Sequence, residues 1–129
     1  AHMLISGITP QLRTTDLDST IRFYVEKVGL ALEFRYSDFY AGLRAGDQAL
    51  HLKLVCDTDP SIAYVRAGDH LHLYLSTSDV DAVAARLTSH GVRLEQEPRD
   101  TEWGTRELVF LDDQGHTIYV GQDKAVAAV

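Results

Sequence analysis

The strongest constraint on the fold of this chain is an internal repeat. The motif Asp16-Leu17-Asp18 recurs as Asp79-Val80-Asp81 at an offset of 63 residues, and Gly29 recurs as Gly91 after 62 residues. Two copies at this spacing are too few and too far apart for a solenoid, whose repeats are usually about 20 to 50 residues long. The repeat therefore predicts two fused modules that face each other across a cleft.

Each copy predicts a strand, then an amphipathic helix that ends at a glycine, then three more strands. In the first copy Leu17, Ile21 and Tyr24 recur at spacings of three and four residues, which is typical of a helix with one apolar face. Thr15 with Asp18 resembles a capping box at the start of this helix. The expected strands are residues 4–13, 32–36, 39–44 and 48–55 in the first copy and 71–75, 92–97, 105–111 and 117–122 in the second.

This order of elements predicts an α+β fold, with two tandem βαβββ modules forming a curved mixed sheet around a cleft and the helices outside. We expect a single domain over residues 1–129. Within it we expect the first module at 4–56, a linker at 57–68, the second module at 69–122 and a tail at 123–129. The linker is indicated by its Asp, Thr, Pro and Ser content.

The composition is that of one acidic globular domain. The 129 residues are 45% hydrophobic, which is enough for a substantial core. The net charge of −7 disfavours nucleic acid, whose binding needs a basic face, and it would attract a cationic small molecule. No apolar stretch approaches the roughly 18 residues that cross a bilayer, and Cys56 is the only cysteine, which fits a reducing compartment. We therefore expect a cytoplasmic protein with no nucleic-acid or membrane partner.

Strand alternation and the repeat together indicate which side chains point into the cleft. Thr9 in the first strand corresponds to His72 at the 63-residue offset, and Gln11 lies on the same face as Thr9. Alignment of the last strand of each module through the preceding turn pairs His51 with Tyr119. The two histidines are also compatible with a plain structural role, hydrogen-bonded to their neighbours.

Several motifs resemble the vicinal oxygen chelate superfamily, which includes glyoxalase I, extradiol dioxygenases, fosfomycin-resistance enzymes and bleomycin-resistance binding proteins. The resemblance covers about residues 5–122 and rests on the segments 12–18 (LRTTDLD), 23–30 (FYVEKVGL), 70–73 (HLHL) and 111–116 (LDDQGH). It implies the two-module fold described above. The superfamily contains both metalloenzymes and metal-free binders, so these motifs leave the function open.

The resemblance implies that the metal ligands of the superfamily's enzymes would fall at Thr9, His51, His72 and Tyr119. A divalent-metal site usually has at least three good ligands, typically including a carboxylate when the metal activates an oxygen substrate. At these four positions only two residues are histidines and none is a carboxylate. The phenol of Tyr119, with an ordinary pKa of about 10, is a poor ligand at neutral pH. We therefore expect no metal and no other cofactor.

The segment 102–107 (EWGTRE) is similar to one in which bleomycin-resistance-type proteins place a tryptophan at the edge of a groove. Trp103 offers a broad rigid face for a flat heteroaromatic ligand, and its alternative role is that of a core or dimer-contact residue. Part of the aromatic group at 34–40 is expected to form groove wall. The predicted ligand-binding residues are Trp103, His51, His72, Tyr119, Tyr36, Phe39, Gln11 and Thr9, and no catalytic residue is predicted.

The resemblance favours a bleomycin-resistance-type protein that sequesters a flat, cationic aromatic antibiotic without chemistry, as a homodimer whose chains complete the groove together. One alternative is a metal-dependent lyase or dioxygenase that uses His51, His72 and a third ligand such as Gln11. The other is a metal-free enzyme with one of these histidines as general base, assisted by Tyr119. Metal content tests the first alternative and turnover tests the second.

Overall fold

The structure is a computed structural model that describes residues 4–124. Its elements follow the repeat, with a strand, a helix and three strands in each half and one further helix between the halves. They are β1 (Gln11–Thr14), α1 (Leu17–Arg22), a π-helical segment that continues α1 (Phe23–Val28), β2 (Ala31–Tyr36), β3 (Tyr40–Ala45), β4 (Gln48–Leu54), α2 (Pro60–Arg66), β5 (Leu73–Ser76), α3 (Val80–Ser89), β6 (Leu94–Asp100), β7 (Thr105–Leu111) and β8 (Thr117–Asp123).

Each module forms a four-stranded mixed sheet, with strand order β1-β4-β3-β2 in the first and β5-β8-β7-β6 in the second. In both sheets the first strand runs parallel to the last, and the other neighbours are antiparallel. Gln11 lies opposite His51 in the first sheet, and Tyr74 lies opposite Tyr119 in the second. The predicted α+β class with two tandem βαβββ modules is confirmed, and the equivalent registers support the alignment of His51 with Tyr119.

Both repeat helices begin at the aspartate that the repeat shares. The carboxylate of Asp16 accepts a hydrogen bond from the backbone N–H of Ser19, and the carboxylate of Asp79 accepts one from Ala82, each at 3.0 Å. The predicted capping box of Thr15 with Asp18 is therefore wrong. Asp16 is the N-cap because its short side chain accepts from a free N–H in the first turn, while the hydroxyl of Thr15 donates to Gln114.

The first strand is shorter than the predicted 4–13. It begins at Gln11, and the described residues before it form neither helix nor strand. Pro10 has no backbone N–H to donate, which prevents the ladder with β4 from extending through it. The connection between the modules, interpreted from sequence as a linker at 57–68, contains helix α2, which buries Ile62 and Val65.

The two modules share one hydrophobic core. Helix α1 packs on β3 and β4, α3 packs on β6, β7 and β8, and the π-helical segment contacts α3. Buried side chains of both halves form a single cluster, in which Leu12 and Leu52 belong to the first sheet and Leu108 and Phe110 to the second. Because the core is shared, the position of the second module is set by its packing against the first module. Within residues 4–124, no helix is long and apolar enough to cross a membrane.

A buried polar network also joins the modules. The hydroxyl of Tyr24 donates to Asp112 Oδ2 at 2.7 Å, and His116 Nδ1 lies 2.7 Å from the same oxygen. The backbone N–H groups of residues 114, 115 and 116 donate to Asp112 Oδ1. Burial opposes ionisation of Asp112, but the bonds from His116 and Tyr24 outweigh it, so the pKa of this carboxyl lies below its ordinary value. The network therefore links a helix of one module to the last hairpin of the other.

Candidate functional site

Each sheet has one face covered by helices and one face that the described part of the chain leaves uncovered. Leu50 and Leu52 of β4 are buried in the core, so His51 between them points to the opposite face. The same alternation puts Tyr119 of β8 on the uncovered face of the second sheet. We call these surfaces the open face of the first sheet (Gln11, Phe34, Tyr40, Gly42 and His51) and the open face of the second sheet (Tyr74, Glu107, Val109, Tyr119 and Gly121).

On the open face of the first sheet, Tyr40 connects two of the predicted site residues. Gln11 Nε2 donates to the Tyr40 hydroxyl at 3.1 Å, and that hydroxyl lies 2.9 Å from His51 Nδ1. The Phe34 ring meets the His51 ring edge to face, with centroids 5.4 Å apart. The result is a half-buried aromatic and polar cluster in which His51 Nδ1 is occupied by a neighbour.

Three other predicted residues of the first module lie outside this cluster. Tyr36 and Phe39 flank the β2–β3 turn, where their rings pack edge to face with centroids 5.5 Å apart, and both remain exposed. Thr9 is exposed in the segment before β1. The pair at the turn is therefore available for contact with a ligand or another chain.

The open face of the second sheet carries a network centred on Glu107. Its Oε2 accepts hydrogen bonds from the Tyr74 hydroxyl at 2.8 Å, the Thr105 hydroxyl at 3.0 Å and Trp103 Nε1 at 3.4 Å. Burial opposes ionisation of Glu107, but these three donors and the positive charge of Arg99 outweigh it and hold the pKa of the carboxyl below its ordinary value. Glu107 is thus an ionised side chain with only 6% of its surface exposed.

Trp103 lies on the loop between β6 and β7, next to this network. Its side chain is 65% exposed, although its indole N–H is bonded to Glu107. The loop reverses the chain through Gly104, whose φ of 87° is in the left-handed region that favours glycine. The indole therefore has one anchored edge and a ring that is free to contact another molecule.

Two glycines allow aromatic side chains to lie against the open faces. A Cβ on Gly42 would fall 2.1 Å from the Phe34 ring, and one on Gly121 would fall 1.7 Å from the Tyr74 hydroxyl. Neither distance is tolerated by a real Cβ atom, so any larger residue would displace the aromatic side chain. Gly121 in particular creates the space in which Tyr74 reaches Glu107.

His72 and Tyr119 form a separate group on the second sheet. Their ring centroids lie 6.0 Å apart, and His72 Nε2 lies 3.1 Å from the carbonyl oxygen of Gly68. Among the described residues, no hydrogen bond or ring contact joins this group to His51. The four positions that the repeat relates are therefore divided between the two modules of one chain, and Thr9 and His72 lie just before the first strand of their modules.

Within one chain, the positions Thr9, His51, His72 and Tyr119 do not make up a set of metal ligands. Within residues 4–124, no group of three or more His, Cys, Asp or Glu side chains is positioned to hold one. His51 Nδ1 is already in contact with the Tyr40 hydroxyl, and the acidic group of the second open face, Glu107, is bonded to Trp103 and Tyr74. We therefore derive no chemistry through a metal.

The sequence indicated the face of several of these residues but not the network itself. The sequence indicates Glu107 only as part of the tryptophan motif at 102–107, and Tyr40 only as a member of the aromatic group at 34–40. The alternation in β7 could have placed Glu107 on the same face as Val109, opposite Tyr119. Its convergence with Tyr74 and Trp103 depends on pairing across strands and on the path of a loop, which leave no local signal.

Comparison with known proteins places this geometry among relatives of two kinds. The family model of the Glyoxalase/Bleomycin resistance protein/Dioxygenase superfamily matches residues 2–120. The antibiotic-binding protein TnmS3 from Streptomyces sp. CB03234 is 31% identical, with 95% of this chain and 100% of that chain covered and a TM-score of 0.74. A bleomycin-binding protein solved with bleomycin is similar in fold, with 24% identity, coverage of 93% and 100%, and a TM-score of 0.72.

A curated relative carries an enzyme name. The probable lactoylglutathione lyase of Vibrio cholerae is 25% identical, with 91% of this chain and 90% of the relative covered. The fold is therefore shared by antibiotic-binding proteins and by proteins named as lyases.

Proposed function

The chain belongs to the glyoxalase/bleomycin resistance protein/dioxygenase superfamily, and from its open faces we propose that it binds a flat, cationic aromatic antibiotic and sequesters it without chemistry. The observation that carries this proposal is Trp103, an exposed indole whose edge is fixed by Glu107. A rigid aromatic surface binds planar ligands at little entropic cost, because few torsions have to be immobilised. The similarity to TnmS3, an antibiotic-binding protein, supports the same function.

The surroundings of Trp103 suit such a ligand. Tyr74 and Trp103 present aromatic surface beside a carboxylate, and on the first sheet Tyr36 and Phe39 present a second exposed aromatic pair. The net charge of −7 would raise the local concentration of a cation near the protein. Aromatic contact and negative charge together favour a ligand that is both planar and positively charged.

The site is proposed to be completed in a homodimer. Strand β2 lies at the edge of its sheet, and all six of its residues are exposed, including Leu32, Phe34 and Tyr36. An exposed edge strand with apolar side chains can pair with another chain, and the symmetric dimer is the commonest oligomer. A second chain placed over the open faces would also enclose a ligand that rests on Trp103.

The experiment that tests the function is a titration with planar antibiotics. Trp103 is the only tryptophan, so quenching or a shift of its fluorescence reports this one position. A panel of bleomycin-like, quinoxaline and other planar compounds is expected to include at least one that changes the emission at micromolar concentration. No change with any compound at high micromolar concentration would refute drug binding at this site.

The contribution of Trp103 is measured by calorimetry, since its removal also removes the fluorescence. Truncation of a central aromatic anchor costs about 2 kcal/mol or more, so Trp103→Ala is expected to weaken binding roughly thirtyfold. The matched control is Tyr64→Ala, which removes another exposed aromatic side chain on helix α2. The control should change the affinity less than about twofold, within the usual scatter of surface substitutions.

The relatives named lactoylglutathione lyase support a second candidate, an enzyme of that class. In this case His51 or His72 would act on the substrate as a general base, and formation or cleavage of lactoylglutathione would be detected with the purified protein. Measurable turnover that His51→Ala abolishes would favour the enzyme. Binding of a planar antibiotic without turnover favours sequestration.

A further inference from the structure

We infer that Glu107 is the group that recognises the positive charge of the ligand. This inference rests on the proposed function. It assigns to the bound antibiotic a protonated amine or a similar cation next to its aromatic ring. Overall negative charge attracts cations without specifying where they bind. A single ionised carboxylate beside the indole would specify both the position and the orientation of the ligand.

The two oxygens of Glu107 are in different surroundings. The three side-chain donors, Tyr74, Thr105 and Trp103, all bond to Oε2. Among the described residues, no hydrogen-bond donor reaches Oε1, and this oxygen is not fully buried. A carboxylate oxygen accepts up to two hydrogen bonds. Oε1 therefore keeps its acceptor capacity and is not fully buried, although Glu107 as a whole is only 6% exposed.

The charge of Glu107 is not neutralised by a contact within the described chain. Arg99 lies opposite Glu107 in the β6–β7 pairing and is exposed, but no ion pair within 4.0 Å joins them among residues 4–124. The donors on Oε2 stabilise the ionised form without carrying a full positive charge. This leaves one negative charge, fixed by three donors to Oε2, for which a cationic ligand is the complement.

Trp103 makes the same position favourable for an aromatic cation. The indole N–H bonds to Glu107 while 65% of the Trp103 side chain remains exposed, and an indole face attracts a cation in addition to stacking on a ring. The hydrogen bond fixes the ring relative to the carboxylate. A ligand whose charge lies at the margin of its ring system can therefore reach Oε1 while it stacks on Trp103.

The test uses two planar tricyclic probes, 9-aminoacridine, which is a cation at neutral pH, and acridine, which is uncharged there. Quenching of Trp103 fluorescence gives an affinity for each probe with the same protein. In the wild type the cation is expected to bind about tenfold more tightly, as a hydrogen bond to a charged group implies. Glu107→Gln keeps the size and one acceptor oxygen but removes the charge, so it should bring the two affinities within about twofold.

The matched control is Glu102→Gln, which removes the same charge one residue before Trp103 from an exposed side chain. This control should retain the tenfold preference. Circular dichroism of each variant verifies the fold. The salt dependence of the wild type supplements the variants. The preference for the cation should persist at 0.5 M salt if it comes from the buried carboxylate of Glu107, and it should vanish if it comes from surface charge.

The outcomes separate the inference from the function. If both probes quench Trp103 and Glu107→Gln retains the preference for the cation, Glu107 is not the recognition group, while binding of planar ligands stands. If neither probe nor any planar antibiotic quenches Trp103, the proposed function fails and the inference fails with it. Loss of the preference in Glu107→Gln alone, with salt-resistant preference in the wild type, supports the inference.

Discussion

Tyr24→Phe tests whether the buried polar network holds the two modules together. Tyr24 belongs to the π-helical segment of the first module, is fully buried, and donates to Asp112 of the second module at 2.7 Å. The substitution removes one hydroxyl and leaves the ring in the core. Asp112 keeps its bonds to His116 and to three backbone N–H groups, so the carboxylate stays satisfied in part.

The expected loss follows from the kind of bond that is removed. A hydrogen bond to a charged group contributes about 1.5–3 kcal/mol to stability, and no large cavity is created, so we expect the free energy of unfolding to fall by about 2 kcal/mol. The matched control is Tyr64→Phe, since Tyr64 is 60% exposed on α2. Its change should stay within about 0.5 kcal/mol.

The loss should also depend on pH in a defined direction. Burial, and then the charge of Asp112, raise the pKa of Tyr24 well above its ordinary value of 10.0. Above that ordinary value the unfolded chain releases the Tyr24 proton while the folded chain keeps it, so the wild type loses stability as pH rises. Tyr24→Phe lacks this term. The difference between the two proteins should therefore be full below pH 10 and shrink above it.

Urea unfolding followed by far-ultraviolet circular dichroism gives these free energies at each pH. The reasoning would be refuted if Tyr24→Phe were no less stable than Tyr64→Phe at pH 7. It would also fail if the difference between Tyr24→Phe and the wild type grew above pH 10.

Three further outcomes are expected. Gly121→Ala should force Tyr74 away from Glu107, since the new Cβ would fall 1.7 Å from the Tyr74 hydroxyl. Binding of 9-aminoacridine should then weaken about tenfold, and the Trp103 emission should shift. The control Gly7→Ala, whose added Cβ has no atom within 4 Å, should change neither the affinity nor the emission. Elemental analysis after dialysis should find no stoichiometric divalent metal, and about one zinc, nickel, manganese or iron per chain that is lost in a His51→Ala/His72→Ala variant would contradict this. Light scattering should give twice the chain mass of 14.3 kDa, and a stable 14.3 kDa species at micromolar concentration would exclude the shared groove.

Much of the fold could be predicted from the sequence because its signals are local. The helical period from Leu17 to Tyr24 and the strand alternation around His51 depend only on neighbours a few residues away. The repeat relates the two halves, so it aligns His51 with Tyr119 without knowledge of the strand pairing. The errors also had local causes: Pro10 shortened the first strand, and Asp16 was a better cap than Thr15.

The candidate site divides in the same way. The motif at 102–107 predicts Trp103 as a ligand-binding residue, and its side chain is exposed. The ligand-binding roles of Thr9, Gln11, His51, His72, Tyr36, Phe39 and Tyr119 remain predictions, and within one chain these residues form separate groups. The residues predicted to line one cleft therefore do not form a single site within one chain.

The sequence by itself determined the two modules, their strand and helix order and the face of each strand that carries polar side chains, because periodicity and capping act over a few residues. Only the tertiary structure decided that Tyr74, Thr105 and Trp103 converge on Glu107 and that Tyr24 reaches Asp112 across the module boundary. The contacts of Tyr74 with Glu107 and of Tyr24 with Asp112 join residues 33 and 88 positions apart. They depend on strand register, on the space above Gly121 and on how two helices pack, and such distances arise only when the whole core has assembled.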